Sequence, residues 1–305
     1  METEIIFQTS EFIYSFIQIR GSVPLFWEQP GFQVSQKLTI IRSETTLPSC
    51  RKHFNDLLNR YSKIHIVNLL KQNDPMSPEC VLGDAYRSQV NQLKDLKSLI
   101  VFTGFDFHYA VKRDNYDKLK SLVDMVSYAF EENGYFLCDV SKNAIISTQT
   151  GIFRTNCLDC LDRTNVVQTL FAKYSIEQYF RAIGSSRIVD SEPFTSVFNS
   201  LWADNGDWLS MIYTGTGALK SSYTRKGKTT LAGFLDDAAK SATRLYVNNF
   251  QDKSRQEAID LLLGKVPSSY VTLIRDPVFE YVLNELIVRY ISLIEVKLNT
   301  LLFVI

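Results

Sequence analysis

Phe153-Arg-Thr-Asn-Cys157-Leu-Asp-Cys160-Leu-Asp-Arg163-Thr-Asn165 is the stretch on which the reading of this chain turns. An apolar, β-prone segment, Ala144 to Phe153, precedes it, and a helix-like segment, Asn165 to Phe180, follows. A loop between a strand and a helix N-terminus aims backbone N–H groups at one point, and the helix dipole adds positive potential there. Arg163 lies six positions after Cys157, and an arginine at the end of such a loop can fork two oxygens of a phosphate. The same field lowers a thiol's pKa, so Cys157 is expected to act as a thiolate nucleophile on phosphorus. Thr164 can donate to that sulfur or cap the helix. Asp159 and Asp162 put two carboxyls in the loop as proton donors for a leaving alkoxide.

Spacing alone leaves three chemistries open. The sixth residue after Cys50, Cys80, Cys138 and Cys160 is Asp56, Tyr86, Ala144 and Val166, so Cys157 alone among the five cysteines has the arginine. Cys157-x-x-Cys160 between strand and helix is also the layout of a thiol–disulfide oxidoreductase. A structural zinc site would need a second Cys/His pair at short spacing, whereas His53, His65 and His108 and the other cysteines are scattered.

The longer run Arg154-Thr-Asn-Cys-Leu-Asp-Cys-Leu-Asp-Arg-Thr-Asn165 resembles the signature of the Sac-domain phosphoinositide phosphatases. Two further blocks are similar to that family: Phe16-Ile-Gln-Ile-Arg-Gly-Ser-Val-Pro-Leu-Phe-Trp-Glu-Gln-Pro30, and Trp202-Ala-Asp-Asn-Gly-Asp207 with Tyr213-Thr-Gly-Thr-Gly-Ala-Leu-Lys220. Their wording is closest to the synaptojanin-like branch, and the similarity runs from about Glu2 to about Asp260. The resemblance implies Cys157 as nucleophile and Arg163 as phosphate ligand. It leaves Leu158, Cys160, Leu161, Thr164 and Asn165 as loop residues lining the substrate. It implies ring monophosphates such as the 4- or 3-phosphate of membrane phosphatidylinositol as substrate, a cysteinyl-phosphate intermediate, and no metal or cofactor. Asp162 is favoured over Asp159 as acid, on a Cys-x-Asp-x-x-Asp-Arg pattern similar to that of myotubularin lipid phosphatases. A catalytically impaired phosphoinositide-binding or scaffold module is the alternative.

Composition bounds the rest. A chain of 305 residues with 45% apolar and 12% aromatic content can bury one large core or two modest ones. Thirty-three basic and 33 acidic residues cancel, so no global field argues for nucleic acid. Lys220, Arg225, Lys226 and Lys228 form a local basic patch without an acid, suited to a headgroup or an anionic bilayer at about 1 kcal/mol per cation. The N-terminus lacks the pattern of a signal peptide, and no apolar run approaches the ~20 residues of a membrane span. The expected setting is the cytoplasm, with peripheral membrane association. Family members normally carry a separate subdomain before the point where this chain starts, and synaptojanin-like proteins continue into a 5-phosphatase domain. The chain is therefore expected to be the catalytic core of a larger protein.

The expected fold is α/β: a mixed sheet flanked by helices, a helical C-terminal half, and the cysteine loop between strand and helix. Residues 1–265 form the catalytic part and 266–305 a C-terminal helix and linker. Strands are expected at Glu11 to Arg20, Ile64 to Leu70, Leu99 to Phe107 and Val140 to Phe153. Helices are expected at His53 to Tyr61, Tyr116 to Phe130, Asn165 to Phe180 and Phe194 to Trp202, then at Lys228 to Phe250, Arg255 to Leu263 and Val278 to Leu293. Lys71 to Glu79 reads as a surface insertion, and Asn205-Gly206-Asp207 as a turn with Asp207 able to cap a following helix. Arg20 and His108 fall at strand ends, where α/β folds place ligand contacts. Phe26 and Trp27 read as an aromatic pair facing membrane, substrate or their own neighbours.

Overall fold

The computed structural model describes residues 1–29, 38–111, 118–219 and 302–304. Two units are present, Met1–Thr195 with Leu302–Ile305, and Ser196–Leu301. The mixed α/β class read from the sequence is what the first unit shows.

Its sheet starts with β1 (Glu2–Gln8), where Thr3, Ile5 and Phe7 alternate inward, hairpinned to β2 (Phe12–Arg20). Thr9 fixes the turn by accepting the Phe12 amide at 2.9 Å. A two-stranded ribbon, β3 (Trp27–Glu28) and β4 (Thr39–Ile40), leads into α1 (Ser43–Leu58). Then follow β5 (Lys63–Asn68), α2 (Pro78–Gln92), β6 (Ile100–Gly104), the short α3 (Phe107–Ala110) and α4 (Leu119–Asn133). The hairpin β7 (Phe136–Asp139) and β8 (Ala144–Ser147) precedes β9 (Gly151–Asn156), α5 (Asp162–Ala182) and α6 (Glu192–Thr214); β10 (Leu302–Val304) lies parallel to β1. The order is β10-β1-β2-β9-β5-β6, with β7 against the first half of β2 and β8 on β7.

β2, β9, β5 and β6 run parallel, so Arg20, Asn156, Asn68 and Gly104 all end at one edge. Ligand sites of α/β sheets form beyond the carboxyl ends of such strands. β9 is central and all six of its residues are buried, as a strand covered on both faces requires. Ile152 packs with Cys50, Phe54 and Leu57 of α1 and Leu82 and Tyr86 of α2. Phe153 faces the other way, 4.6 Å from the Phe130 ring of α4 and 4.8 Å from Phe171 of α5. Each large side chain so buried contributes about 1.5–3 kcal/mol.

Several boundaries differ from expectation. α1 starts at Ser43, ten positions before His53, and carries Pro48 inside its second turn, where the missing N–H leaves the Glu44 carbonyl without its i→i−4 donor. The segment read as an insertion ends in α2: Ser77 precedes Pro78 at the first turn, and Leu82, Tyr86 and Val90 are buried at helical spacing. The stretch Leu99 to Phe107 is strand only to Gly104. Asn205-Gly206-Asp207 is no turn but the interior of α6, and Asp207 accepts the Ala218 amide at 2.8 Å. The expected helices Lys228 to Phe250, Arg255 to Leu263 and Val278 to Leu293 lie outside the described residues.

Candidate active site

The loop that follows β9 places Cys157 directly beyond the sheet edge. Cys160 turns the chain with φ +58°, a left-handed conformation uncommon for a non-glycine residue. Asp162 then opens α5, so the helix N-terminus faces back on the loop. The fully buried Cys157 Sγ accepts the Cys160 amide at 3.0 Å and the Thr164 hydroxyl at 3.3 Å. Both donors are what an anionic sulfur needs.

The expected low thiol pKa is not what this arrangement produces. The Cys157 thiol donates to Asp159 Oδ1 at 3.3 Å, and that carboxylate also takes the Leu161 amide at 3.1 Å. Burial pushes the Cys157 thiol well up, Cys160 and Asp159 add to it, and Arg163 pulls the other way. The main reason is burial, which disfavours the charged sulfur, and the neighbouring Cys160 and the Asp159 carboxylate add to it.

Arg163 points its two terminal nitrogens at Glu79 of α2, at 2.9 and 3.0 Å, and Nη1 also donates to His108 Nε2 at 3.1 Å. The sequence placed Glu79 only at the end of a surface insertion and gave it no role at the site. The signal that marks it is Ser77-Pro78-Glu79, a helix start that puts the acid in the first turn. His108 reaches the site because Asp106 accepts the Tyr109 amide and caps α3. The other oxygen of Asp106 takes the Gln72 amide, which stitches the loops after β5 and β6 together.

Two buried arginines form the floor. Arg20 donates from Nη2 to the Leu161 carbonyl at 3.1 Å and from Nη1 to Asn165 Oδ1 at 3.3 Å. Arg154 donates to the Gly21 and Ser22 carbonyls and, through Nε, to His53 Nε2 at 3.0 Å. Asn156 Nδ2 donates to Asn68 Oδ1 at 2.6 Å, tying the ends of β9 and β5. A cleft of about 550 Å³ lined by Arg20, Gly21, Ser22, His53 and Arg154 lies beside this floor and has none of residues 157–163 in its wall.

The loop residues divide accordingly. Cys160, Thr164, Asp159 and Cys157 meet at the sulfur. Leu161 and Asn165 face Arg20, and Leu158, like Trp27, packs partly buried against the core. Phe26 carries Arg42 over its ring at 5.5 Å, so this aromatic pair packs locally. Asp162 sits in the first turn of α5. Lys220, Arg225, Lys226 and Lys228 lie outside the described residues. Among the described residues no group of three or more His, Cys, Asp or Glu side chains is placed to hold a metal ion. No helix of the described residues is long and apolar enough to cross a membrane.

Residues 1–112 match the model of the SacI homology domain. Over 292 residues the chain is 43% identical to polyphosphatidylinositol phosphatase INP53 of Saccharomyces cerevisiae, covering 94% of this chain and 26% of that protein. It is 44% identical over 289 residues to inositol-1,4,5-trisphosphate 5-phosphatase 1 of Schizosaccharomyces pombe, with 94% and 26% covered. Against phosphoinositide phosphatase SAC8 of Arabidopsis thaliana it is 37% identical over 270 residues, with 87% and 45% covered. The chain thus spans 26% to 45% of the length of these relatives.

Proposed function

The chain belongs to the SacI homology family, and from that premise we propose that it removes monophosphates from the inositol ring of membrane phosphoinositides. The observation that carries this reading is the setting of Cys157. Its sulfur sits at a strand end, under a helix N-terminus, with the Cys160 amide and the Thr164 hydroxyl donating to it.

Attack by Cys157 Sγ forms an S–P bond as the P–O bond to the inositol breaks. Arg163, the loop amides and the helix N-terminus hold the equatorial oxygens, whose charge they stabilise in the transition state. The thiol proton passes to Asp159, to which it is already hydrogen-bonded. Asp159 is exposed and can deliver that proton to the leaving inositol oxygen; this assigns the acid to Asp159 in place of Asp162. Water then hydrolyses the cysteinyl phosphate, with the same carboxylate as base. The enzyme would work at a cytoplasmic membrane surface, as a peripheral protein whose basic segment from Lys220 to Lys228 meets the headgroups.

A second reading, a phosphoinositide-binding module without turnover, is favoured by one observation: the Cys157 thiol is fully buried, which pushes its pKa up, and it donates to the Asp159 carboxylate at its side. Phosphate release from vesicles carrying phosphatidylinositol 4-phosphate or 3-phosphate decides between them. Release that disappears in Cys157→Ser supports the enzyme. Vesicle binding without release supports the module.

A further inference from the structure

The phosphate-binding arginine of this site has a dedicated carboxylate partner from a distant part of the chain. Glu79 lies 84 positions before Arg163, at the start of the helix that follows β5. Oε2 and Oε1 accept from Nη1 and Nη2 at 2.9 and 3.0 Å, the fork-to-fork geometry that fixes a guanidinium in plane as well as in position. The Lys71 amide donates to Oε2 at 3.3 Å, so the carboxylate is itself held. His108 Nε2 accepts from Nη1 at 3.1 Å and stands 3.8 Å from Glu79 Oε1, which gives the clamp a third side from α3. The two charged side chains are only 16% and 15% exposed. Among the described residues Arg163 Nε carries no acceptor.

This arrangement poses a physical conflict. A carboxylate beside an anion-binding arginine repels the anion, and in a partly desolvated site that repulsion amounts to kcal/mol. Its presence is explained only if fixing the guanidinium is worth more than the repulsion costs. An arginine stem has several rotatable bonds, and a misplacement of about 1 Å at a reacting centre costs on the order of 100-fold in rate.

We propose that Glu79, with His108 completing the clamp, is the positioning residue of Arg163, holding its Nη edge so that Nε and the remaining Nη2 proton meet the phosphate side-on. The inference rests on the phosphatase reading for its substrate, but the clamp itself is testable by phosphate binding alone. Glu79 stays ionised across the working range: burial would raise its pKa, but the neighbouring His108 and the Arg163 guanidinium outweigh it and hold it at about 2.

The test is equilibrium binding of inorganic phosphate to the whole chain in a Cys157→Ser background, with and without Glu79→Gln, alongside circular dichroism and melting temperature. Positioning predicts weaker phosphate binding in Glu79→Gln, by about tenfold or more, partial recovery in Glu79→Asp, and no further loss from Glu79→Gln once Arg163→Lys is in place. Electrostatics alone predicts the opposite sign. Binding that is unchanged or tighter in Glu79→Gln, in a folded protein, overturns the proposal and makes Glu79 a competitor of the substrate. Should Glu79→Gln fold poorly, His108→Ala keeps the test, with a smaller loss expected in the same direction and overturn by no loss. Vesicle phosphate release by the parent chain is scored separately. A parent that binds phosphate through the clamp but releases none sinks the enzyme reading and leaves the clamp standing.

Discussion

Arg20, the last residue of β2, donates to the carbonyl of Leu161 at 3.1 Å, across 141 residues of chain. Its other terminal nitrogen reaches Asn165 Oδ1, so one strand end holds both the exit of the cysteine loop and the first turn of α5. Arg20 is 2% exposed and has no ion pair among the described residues. Burial brings its pKa down to about 10, while the thiols of Cys160 and Cys157 and the Asp159 and Asp162 carboxylates pull it up. The charge under the loop is therefore sustained by the loop's own acidic groups.

Arg20→Ala is expected to cost about 3 kcal/mol of stability, because two buried acceptors lose their donor. Phosphate release should fall at least tenfold as the loop loses its floor. Urea unfolding and a vesicle assay on the same preparation test both. Full activity in a destabilised but folded variant would show that Arg20 serves the fold alone.

Cys157→Ser should leave the melting temperature within a few degrees of the parent while abolishing phosphate release. The hydroxyl keeps the Cys160 and Thr164 bonds but is a far weaker nucleophile at neutral pH. Measurable turnover by this variant would remove Cys157 from the role of nucleophile.

Asp159→Asn should slow release from a lipid substrate by roughly 100- to 10,000-fold, the usual range for a lost general acid. An aryl phosphate, whose leaving group needs no proton, should be affected far less. Comparable losses on the two substrates argue against Asp159, and a selective loss in Asp162→Asn instead would move the acid there.

His65 is buried on β5 with Nε2 2.8 Å from Thr103 Oγ1, and burial brings its pKa down to about 4. The unfolded chain titrates near 6.5, so between these values the unfolded state binds more protons. Stability from the neutral ring is complete above about pH 6.5 and is lost as pH falls toward 4. His53, lowered to about 4 by burial, then Arg154 and the N-terminus, acts in the same direction. The expected loss on going from pH 7 to pH 5 is on the order of 1–2 kcal/mol for each ring, and the chain should melt several degrees lower. His65→Gln should flatten that dependence. An unchanged pH slope in the variant would contradict the neutral buried ring.

Gly151 opens β9 beside the end of α4. A Cβ there would come within 2.0 Å of Asn133 Oδ1 and 3.1 Å of its Cα. Gly151→Ala should cost about 2–3 kcal/mol, since backbone as well as side chain must give. Asn133→Ala in the same chain should recover part of it. A neutral Gly151→Ala in thermal melts would show that the helix end can move away freely.

Much of the site was legible because it is local. Cys157, Asp159, Cys160, Arg163 and Thr164 lie within eight consecutive residues, so the strand before them and the helix after them already define a phosphate-sized loop. The strands β2 and β5 were readable from their apolar runs, since a strand covered on both faces has few alternatives, whereas the run Val140 to Phe153 merged β8 with the start of β9. α2 was hidden by the prolines and polar residues before it, although its own start signal and the Leu82, Tyr86, Val90 spacing were present. α6 runs through Asn205-Gly206-Asp207 because burial of Trp202 and Leu209 on either side outweighs the roughly 1 kcal/mol that a helical glycine costs.

What the sequence alone determined is the set of groups: a pair of thiols, an arginine and two acids, set by residue type and spacing within one loop. Which partners those groups face was decided only by folding. The four parallel strands end at one edge, and that edge gathers Arg20, Glu79, His108 and Arg163 from segments far apart in the chain. Side-chain type carries reactivity, but a carboxylate becomes a clamp, a proton carrier or an ordinary surface charge only through the distance at which the fold sets it.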